Sequence, residues 1–327
     1  MLVTLSIILG VALAIHLYRQ YWFHRQLPQL HCMKFDGEFY QAGETSLAIK
    51  RPESGATRTL ICFPGFLEDM RYFLSLYERR GYELILINNA NYHSPFDMKD
   101  SRELPWEPNP HQPGSIEYDA FHLARAVKQF ATTDRIVIHG HSRGGAVVLD
   151  AGRQFPEIMK DETKRISVLL EAPVLPQGTV AGGKPGPVLG ALTLYLAPIF
   201  LGLARNISEA RLLKLPMMKP TTELKTGLLR TLFCNAKSHA TCVENLRNIA
   251  EWQEKHRYDL YENYHEITVL IGERDDVLST KAMTASAREG ARRNPRVRVV
   301  ETTETNHFIS LETPDAIYEA LGESVVS

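Results

Sequence analysis

The sequence predicts an α/β fold in which a mostly parallel sheet is covered by helices on both faces. Apolar runs typical of buried strands alternate with amphipathic helical segments along most of the 327-residue chain. Two stretches break this alternation, an apolar segment at the N-terminus and a largely helical interval that begins at about residue 176. We therefore expect a membrane anchor over residues 1–25, a core of residues 26–175 and 266–327, and a helical cap over residues 176–265.

The composition is that of an ordinary globular protein and argues against nucleic acid as a partner. Hydrophobic residues make up 44% and charged residues 23%, and 37 Lys and Arg balance 38 Asp and Glu. A net charge of -1 supplies no basic field for a polyanion. The cysteines show neither a CxxC pair nor a metal-ligand spacing; they are Cys32, Cys62, Cys234 and Cys242. We predict no metal and no cofactor.

The N-terminal segment has the length and composition of a membrane helix. Residues 1–17 contain no Lys, Arg, Asp or Glu, and aromatic residues with Arg19 and Arg25 follow directly. About 17 to 20 apolar residues suffice to cross a bilayer. The basic flank favours a single-pass anchor with the rest of the chain on the cytoplasmic side. A cleaved signal peptide is the main alternative, although its basic start and small-residue cleavage site are missing. A helix lying in the membrane interface is another.

The first half of the core shows strand and helix patterns in alternation. The order is a strand over 59–65, a helix over 67–81 ending at Gly81, a strand over 82–90 and, after a Pro- and Asn-rich loop, a helix over 115–131. Ser115 is a plausible N-cap of that last helix.

The second half continues the alternation. It contains a strand over 134–142, a helix over 143–155, strands over 166–174, 267–276 and 297–307, and a final helix after Pro314. Ligands of parallel sheets bind beyond the carboxyl ends of the strands. We therefore expect the chemistry to lie on residues that close these strands.

The pentapeptide GHSRG, residues 140–144, lies between a predicted strand and a predicted helix. A serine in this position must adopt a strained backbone, and glycines at 140 and 144 leave room for neighbouring backbone. The turn lifts the Ser142 hydroxyl above the sheet. It also places the N–H of Arg143 at a helix start, where an oxyanion can be held.

A serine hydroxyl needs a base, and the base needs a partner that orients it. His307 follows the last predicted strand, and Asp275 follows the strand before it, so all three groups are expected at one edge of the sheet. Asp276 and Glu171 also close strands and compete with Asp275 for the acid position. Asp276 could instead cap the following turn.

The predicted site also includes a second oxyanion donor and two neighbouring histidines. The loop FPGFLED after the first core strand supplies a second oxyanion donor, either the backbone N–H of Phe66 or that of Leu67, with Gly65 allowing close approach. His139 and His141 flank the turn on the strand side, and we interpret both as packing residues and not as metal ligands.

On these residues the chain resembles an α/β-hydrolase fold serine hydrolase from about residue 44 to the C-terminus. The resemblance implies Ser142 as nucleophile, His307 as general base and Asp275 as acid. It implies the backbone N–H groups of Phe66 and Arg143 as the oxyanion hole. One departure is Pro64, which stands where the family often has a histidine that braces this loop.

The predicted cap contains a run without charge between Lys184 and Arg205. A second membrane span is one interpretation, but a single extra crossing would put Ser142 and the later strand ends on opposite sides of the bilayer. We expect instead a hydrophobic cap over the sheet that could dip into the membrane surface. A plain pair of core helices is the alternative.

The predicted activity is hydrolysis of carboxylic esters through an acyl-enzyme intermediate. An apolar cap and an anchored chain favour lipid-like substrates, namely lysophospholipids, phospholipids or glycerides. A small-ester carboxylesterase, a thioesterase and an acyltransferase are the alternatives within the same chemistry. A membrane-tethered binding protein on a hydrolase fold is the non-enzymatic alternative.

Overall fold

The computed structural model describes residues 2–30, 32–229 and 235–323, and it contains a sheet of nine strands. Cys234, one of the cysteines considered above, lies outside the described residues. The strands are β1 (Glu38–Ala42), β2 (Thr45–Lys50), β3 (Thr59–Phe63), β4 (Glu83–Ile87), β5 (Arg102–Glu103), β6 (Arg135–His141), β7 (Arg165–Glu171), β8 (Glu266–Gly272) and β9 (Val297–Thr302).

The strand order in the sheet is β5-β1-β2-β4-β3-β6-β7-β8-β9. β2 pairs antiparallel with β1 and with β4, and the pairs from β4 through β3, β6, β7 and β8 to β9 are parallel. The carboxyl ends of the parallel strands therefore meet at one edge of the sheet.

Twelve α-helices are found among the described residues. They are α1 (Leu2–His24), α2 (Leu74–Tyr77), α3 (Ile116–Phe130), α4 (Arg143–Gln154), α5 (Pro156–Met159), α6 (Pro187–Ala204), α7 (Glu209–Leu212), α8 (Glu223–Leu229), α9 (His239–Lys255), α10 (Thr280–Arg293), α11 (Ile309–Glu312) and α12 (Pro314–Ala320). Helices α6 to α9 lie in the interval between β7 and β8.

Both faces of the central strands are buried in apolar clusters. In β3, Ile61 and Phe63 belong to one cluster, whereas Leu60 and Cys62 belong to the other. Successive side chains of a strand point to opposite faces, so a fully apolar strand is expected only where both faces are covered. The predicted fold class is confirmed.

The predicted helix over 67–81 is wrong in extent. A 3-10 helix, Met70–Phe73, and the single turn α2 occupy this segment. Leu67 adopts a positive φ of 66°, which no helix tolerates, and the Asp69 side chain caps the backbone N–H of Arg71. The chain makes a sharp turn beside the sheet at Leu67, and this turn prevents one continuous helix despite the helical periodicity.

Two described helices are long and apolar enough to cross a membrane, α1 and α6, each with a mean hydropathy of 1.9. Helix α1 is exposed along most of its length and touches α6 near its C-terminal end. The Trp22 ring packs directly on Gly202, where an added Cβ would lie 2.4 Å from the indole. The N-terminal helix is compatible with a membrane anchor or a signal sequence.

Candidate active site

Ser142 lies in the turn between β6 and α4 and adopts φ 51° and ψ −117°. This conformation is unfavourable for a residue with a side chain and persists only where the surroundings enforce it. Gly144 allows the turn because an added Cβ there would lie 2.2 Å from the Phe63 carbonyl oxygen. At Gly140 the corresponding distance to the Gly144 carbonyl oxygen is 2.6 Å. The strand-to-helix turn expected from the pentapeptide is present.

The structure brings Ser142, His307 and Asp275 together. Ser142 Oγ lies 2.9 Å from His307 Nε2, and His307 Nδ1 lies 2.8 Å from Asp275 Oδ2. The other carboxylate oxygen accepts the backbone N–H groups of Val277 and Leu278, each at 2.8 Å. The order hydroxyl, imidazole and carboxylate is the geometry in which a histidine can take the serine proton.

Two effects of opposite sign act on the Asp275 carboxyl. Burial raises its pKa, but the neighbouring His307 and the bond that His307 donates outweigh burial, and the pKa lies below its ordinary value. The carboxylate is therefore ionised at neutral pH and can orient the imidazole.

The two competing acids are engaged elsewhere. Asp276 Oδ2 accepts a bond from Asn306 Nδ2 at 2.9 Å, and the Asp276 N–H donates to Asn306 Oδ1. Glu171 accepts bonds from Tyr72, His139 and Ser310. Among the described residues, the acid bonded to the His307 ring is Asp275.

The two expected oxyanion donors lie on either side of Ser142. Within the described ranges, the backbone N–H groups of Phe66 and Arg143 have no protein acceptor. The alternative donor, the N–H of Leu67, is directed to the Tyr92 hydroxyl at 3.3 Å. An added Cβ at Gly65 would lie 2.8 Å from Ser142 Cβ, so the Phe66 loop closely approaches the serine. This contact favours Phe66 over Leu67.

The Arg143 side chain turns away from the serine and is fully buried. Its guanidinium donates to Asp119 at 2.6 Å, to Asn89 at 2.7 Å and to the Gly114 carbonyl at 3.0 Å. Asn89 in turn donates to the Gly65 carbonyl at 2.9 Å. The side chain thus anchors the start of α4 to the loop that carries Phe66.

We call the turn that carries Ser142 the elbow. The two histidines that precede it on β6 form hydrogen bonds as well as packing contacts. His139 and His141 are both fully buried. His139 Nε2 lies 3.0 Å from Glu171, and His141 Nδ1 lies 2.7 Å from Glu68. The sequence signal was available, since two histidines at a spacing of two on an otherwise apolar strand share one face. Their carboxylate partners, 32 and 73 residues away, could not be identified from that spacing.

Ser142 and His307 are almost completely covered, with exposures of 6% and 3%. Apolar residues of the interval between β7 and β8 belong to the same cluster as the Phe66 loop; they include Leu201, Met218 and Cys242. A cavity of about 1000 Å³ lies at the amino ends of β6 to β9, away from Ser142.

The model of the Alpha/beta hydrolase family matches residues 60–320. No curated protein matches the sequence.

Three solved structures illustrate the similarity. A thermophilic esterase from Thermogutta terrifontis is 17% identical, with a TM-score of 0.58, over 85% of this chain and 92% of that one. An N-acyl homoserine lactonase complexed with N-butanoyl homoserine is 13% identical, with a TM-score of 0.58, over 88% and 95%. E-2-(acetamidomethylene)succinate hydrolase is 15% identical, with a TM-score of 0.56, over 88% and 98%. At these identities the similarity concerns the fold.

Proposed function

This chain belongs to the alpha/beta hydrolase family, and we propose that it hydrolyses carboxylic esters of lipid-like molecules through an acyl-enzyme on Ser142. The observation that carries the proposal is the continuous hydrogen-bonded order of Ser142, His307 and Asp275 beside two unpaired N–H groups. Nucleophile, base, orienting acid and oxyanion donors are the four parts that acyl transfer requires.

The reaction follows from these positions. His307 Nε2 takes the Ser142 proton as Oγ attacks the ester carbonyl, and Asp275 stabilises the imidazolium that forms. The N–H groups of Phe66 and Arg143 hold the tetrahedral oxyanion. His307 then protonates the leaving alcohol, and a water activated by the same imidazole releases the acid from the acyl-enzyme.

A lipid-like substrate is supported by the helices that surround the site. Helices α1 and α6 run in the same direction where they touch, since His16 meets the Tyr195 hydroxyl at 2.7 Å and Trp22 meets Gly202. The outer face of α6 is apolar and exposed; it consists of Val188, Leu189, Leu192, Phe200 and Leu203. We define these five side chains as the α6 stripe.

The α6 stripe is an unusual surface for a protein surrounded only by water. Contiguous exposed apolar patches of this kind mark contacts with membranes or proteins. Helix α1, which is long enough to cross a bilayer, packs against α6 through His16 and Trp22. Arg205 follows the end of α6 that contacts Trp22, and a basic residue at this end suits anionic head groups on the side where Arg25 lies. We infer that the α6 stripe rests in the bilayer that holds α1, with Arg19 and Arg25 on the cytoplasmic side.

The interval between β7 and β8 would then act as the cap. Its helices α6 and α8 contribute Leu201 and Leu228 to the apolar cluster that also includes Phe66. Residues 176–265 would thus link the membrane surface to the acyl-binding side of Ser142. An ester whose acyl chain comes from the bilayer fits such an arrangement.

Labelling by a fluorophosphonate probe tests the nucleophile. Wild-type protein is expected to label, and Ser142→Ala is expected to lose labelling completely. Ser286→Ala is the matched control, because Ser286 is equally buried but bonds to Tyr261 and the Pro176 carbonyl, far along the chain from the elbow. Equal labelling of wild type and Ser142→Ala would overturn the proposal.

A double substitution tests the lipid-like substrate. Val188→Glu with Leu192→Glu places two charges on the α6 stripe. We expect hydrolysis of phospholipid vesicles to fall at least tenfold and hydrolysis of a short p-nitrophenyl ester to stay within about twofold. Thr303→Glu, on the exposed turn after β9, is the control. Turnover of the short ester alone by the wild type would contradict the lipid assignment.

A further inference from the structure

A buried ion pair that the acyl-transfer steps do not use lies directly behind Ser142. His141, the residue before the serine, is fully buried, and its partner Glu68 is almost so. His141 Nδ1 lies 2.7 Å from Glu68 Oε2. The opposite ring nitrogen, Nε2, lies 3.0 Å from the backbone carbonyl oxygen of His307.

Both ring nitrogens of His141 therefore face groups that can only accept a bond, a carboxylate and a carbonyl. Satisfying both requires a hydrogen on each nitrogen, which makes the ring an imidazolium. Burial opposes this charge, but Glu68 and Glu171 outweigh burial and raise the pKa of His141 to about 9. His141 is thus a cation at neutral pH.

His139, two residues earlier, provides the contrast. Its Nδ1 lies 2.8 Å from the Tyr77 hydroxyl, which can donate, and its Nε2 faces Glu171. A neutral ring satisfies both contacts. Burial lowers the pKa of His139, although Glu171 acts in the opposite direction.

Glu68 reaches the other side of the site. The same oxygen that bonds His141 also accepts the backbone N–H of Gly65 at 2.7 Å. Gly65 precedes Phe66, the proposed oxyanion donor, and lies against Ser142. One carboxylate thus holds the Phe66 loop, while its histidine partner holds the main chain of His307.

We propose that cationic His141, paired with Glu68, is a positioning residue that sets the Phe66 N–H and the His307 ring around Ser142. The cation also neutralises Glu68, whose negative charge would otherwise oppose the oxyanion that forms nearby. The inference rests on the proposed function, since it assigns the pair a role in acylation of Ser142.

The surroundings leave few other groups that could take over this role. The Tyr72 ring stacks on His141 with centroids 4.3 Å apart, and its hydroxyl donates to Glu171. The His307 ring lies 5.0 Å away on the other side. Burial raises the pKa of Tyr72 well above its ordinary value, so this phenol stays neutral. Of the charged groups facing His141, Glu68 is the carboxylate in direct contact.

The pH dependence of acylation separates positioning from mere packing. The rate constant for fluorophosphonate labelling of the full chain is expected to fall as the pH rises through about 9, when His141 loses its proton. Glu68→Gln removes the main charge that holds that proton. We expect the falling limb of the rate–pH profile to move down by at least one pH unit. A limb moved from about 9 to about 8 lowers the rate at pH 8.5 about threefold, and a larger move lowers it further.

His139→Gln is the matched control, because it replaces an equally buried histidine on the same strand. For His139→Gln, the fall of the labelling rate with rising pH is expected to stay near pH 9. The ¹⁵N shifts of the His141 ring in the wild type provide a second readout and should report an imidazolium at pH 7.5.

Two results would overturn the inference alone. One is that the labelling rate of Glu68→Gln falls at the same pH as that of the wild type, and the other is a neutral His141 ring at pH 7.5. Absence of labelling in the wild type would overturn the proposed function together with the inference.

Discussion

Asp275→Asn is expected to slow acylation of Ser142 by about 10⁴-fold, the cost of the wrong histidine tautomer. Asp275 Oδ1 accepts two backbone N–H bonds, from Val277 and Leu278. An asparagine keeps these bonds only with its oxygen in that position, which turns its NH₂ group towards His307 Nδ1. The imidazole must then carry its hydrogen on Nε2. A protonated Nε2 has no free lone pair and cannot accept the proton of Ser142.

Glu171→Gln, the paired change, should affect stability instead. Burial would raise the Glu171 pKa, but His141 and the bond from His139 dominate and lower it from 4.5 to about 2. At about 1.36 kcal/mol per pKa unit, this corresponds to about 3 kcal/mol of stability at neutral pH. Because the folded-state pKa is depressed, the contribution is present above pH 4.5 and is lost as the pH falls through 2.

The two variants are compared in the same two assays, fluorophosphonate labelling kinetics and urea unfolding. Glu171→Gln should lose about 3 kcal/mol of unfolding free energy at pH 7, and this difference from wild type should shrink in acid. Its labelling rate should stay within about fivefold of wild type. Loss of labelling in Glu171→Gln, together with near-normal labelling of Asp275→Asn, would show that the acid has been assigned to the wrong carboxylate.

Two further changes test the architecture around the elbow. Gly144→Ala places a Cβ 2.2 Å from the Phe63 carbonyl oxygen. We expect the free energy of unfolding in urea to fall by about 1–3 kcal/mol or more, the cost of overpacking, and the rate of fluorophosphonate labelling to fall as well. Gly227→Ala lies inside α8 with nothing within 4 Å, so it should leave labelling unchanged and should not lower stability, which can rise by up to about 1 kcal/mol. Asp119→Asn strips the buried Arg143 of its counter-charge and should cost about 3–5 kcal/mol; a loss below about 1 kcal/mol in urea unfolding would contradict the ion-pair argument.

The predictable part of the fold consists of elements whose periodicity matches their burial. β3, α3 and β6 follow the patterns seen in the sequence. The two strands are covered on both faces and are mainly apolar, and α3 is buried except for one stripe of polar residues. For the segment over 67–81, the helical periodicity predicts a long helix that is not formed. Its apolar residues are buried against the sheet, but the positive φ of Leu67 turns the chain and only short helical turns follow.

The candidate site divides in a similar way. The placement of Ser142, Asp275 and His307 at strand ends could be predicted, since parallel strands bring their carboxyl ends to one edge. Strand position alone leaves Asp275 and Glu171 in competition, because both carboxylates close neighbouring strands, and the resemblance favours Asp275. The hydrogen-bond partners of the His307 and Glu171 side chains distinguish them.

The sequence by itself determined the alternation of strands and helices, the serine elbow and the two apolar helices, because these depend on residues close together in the chain. The tertiary structure alone decided the pairing of His141 with Glu68 and the anchoring of Arg143 by Asp119. Such contacts join segments that are far apart in the chain. Whether a buried histidine carries a charge depends on which acceptors the fold places at both of its nitrogens, and local sequence contains no record of that placement.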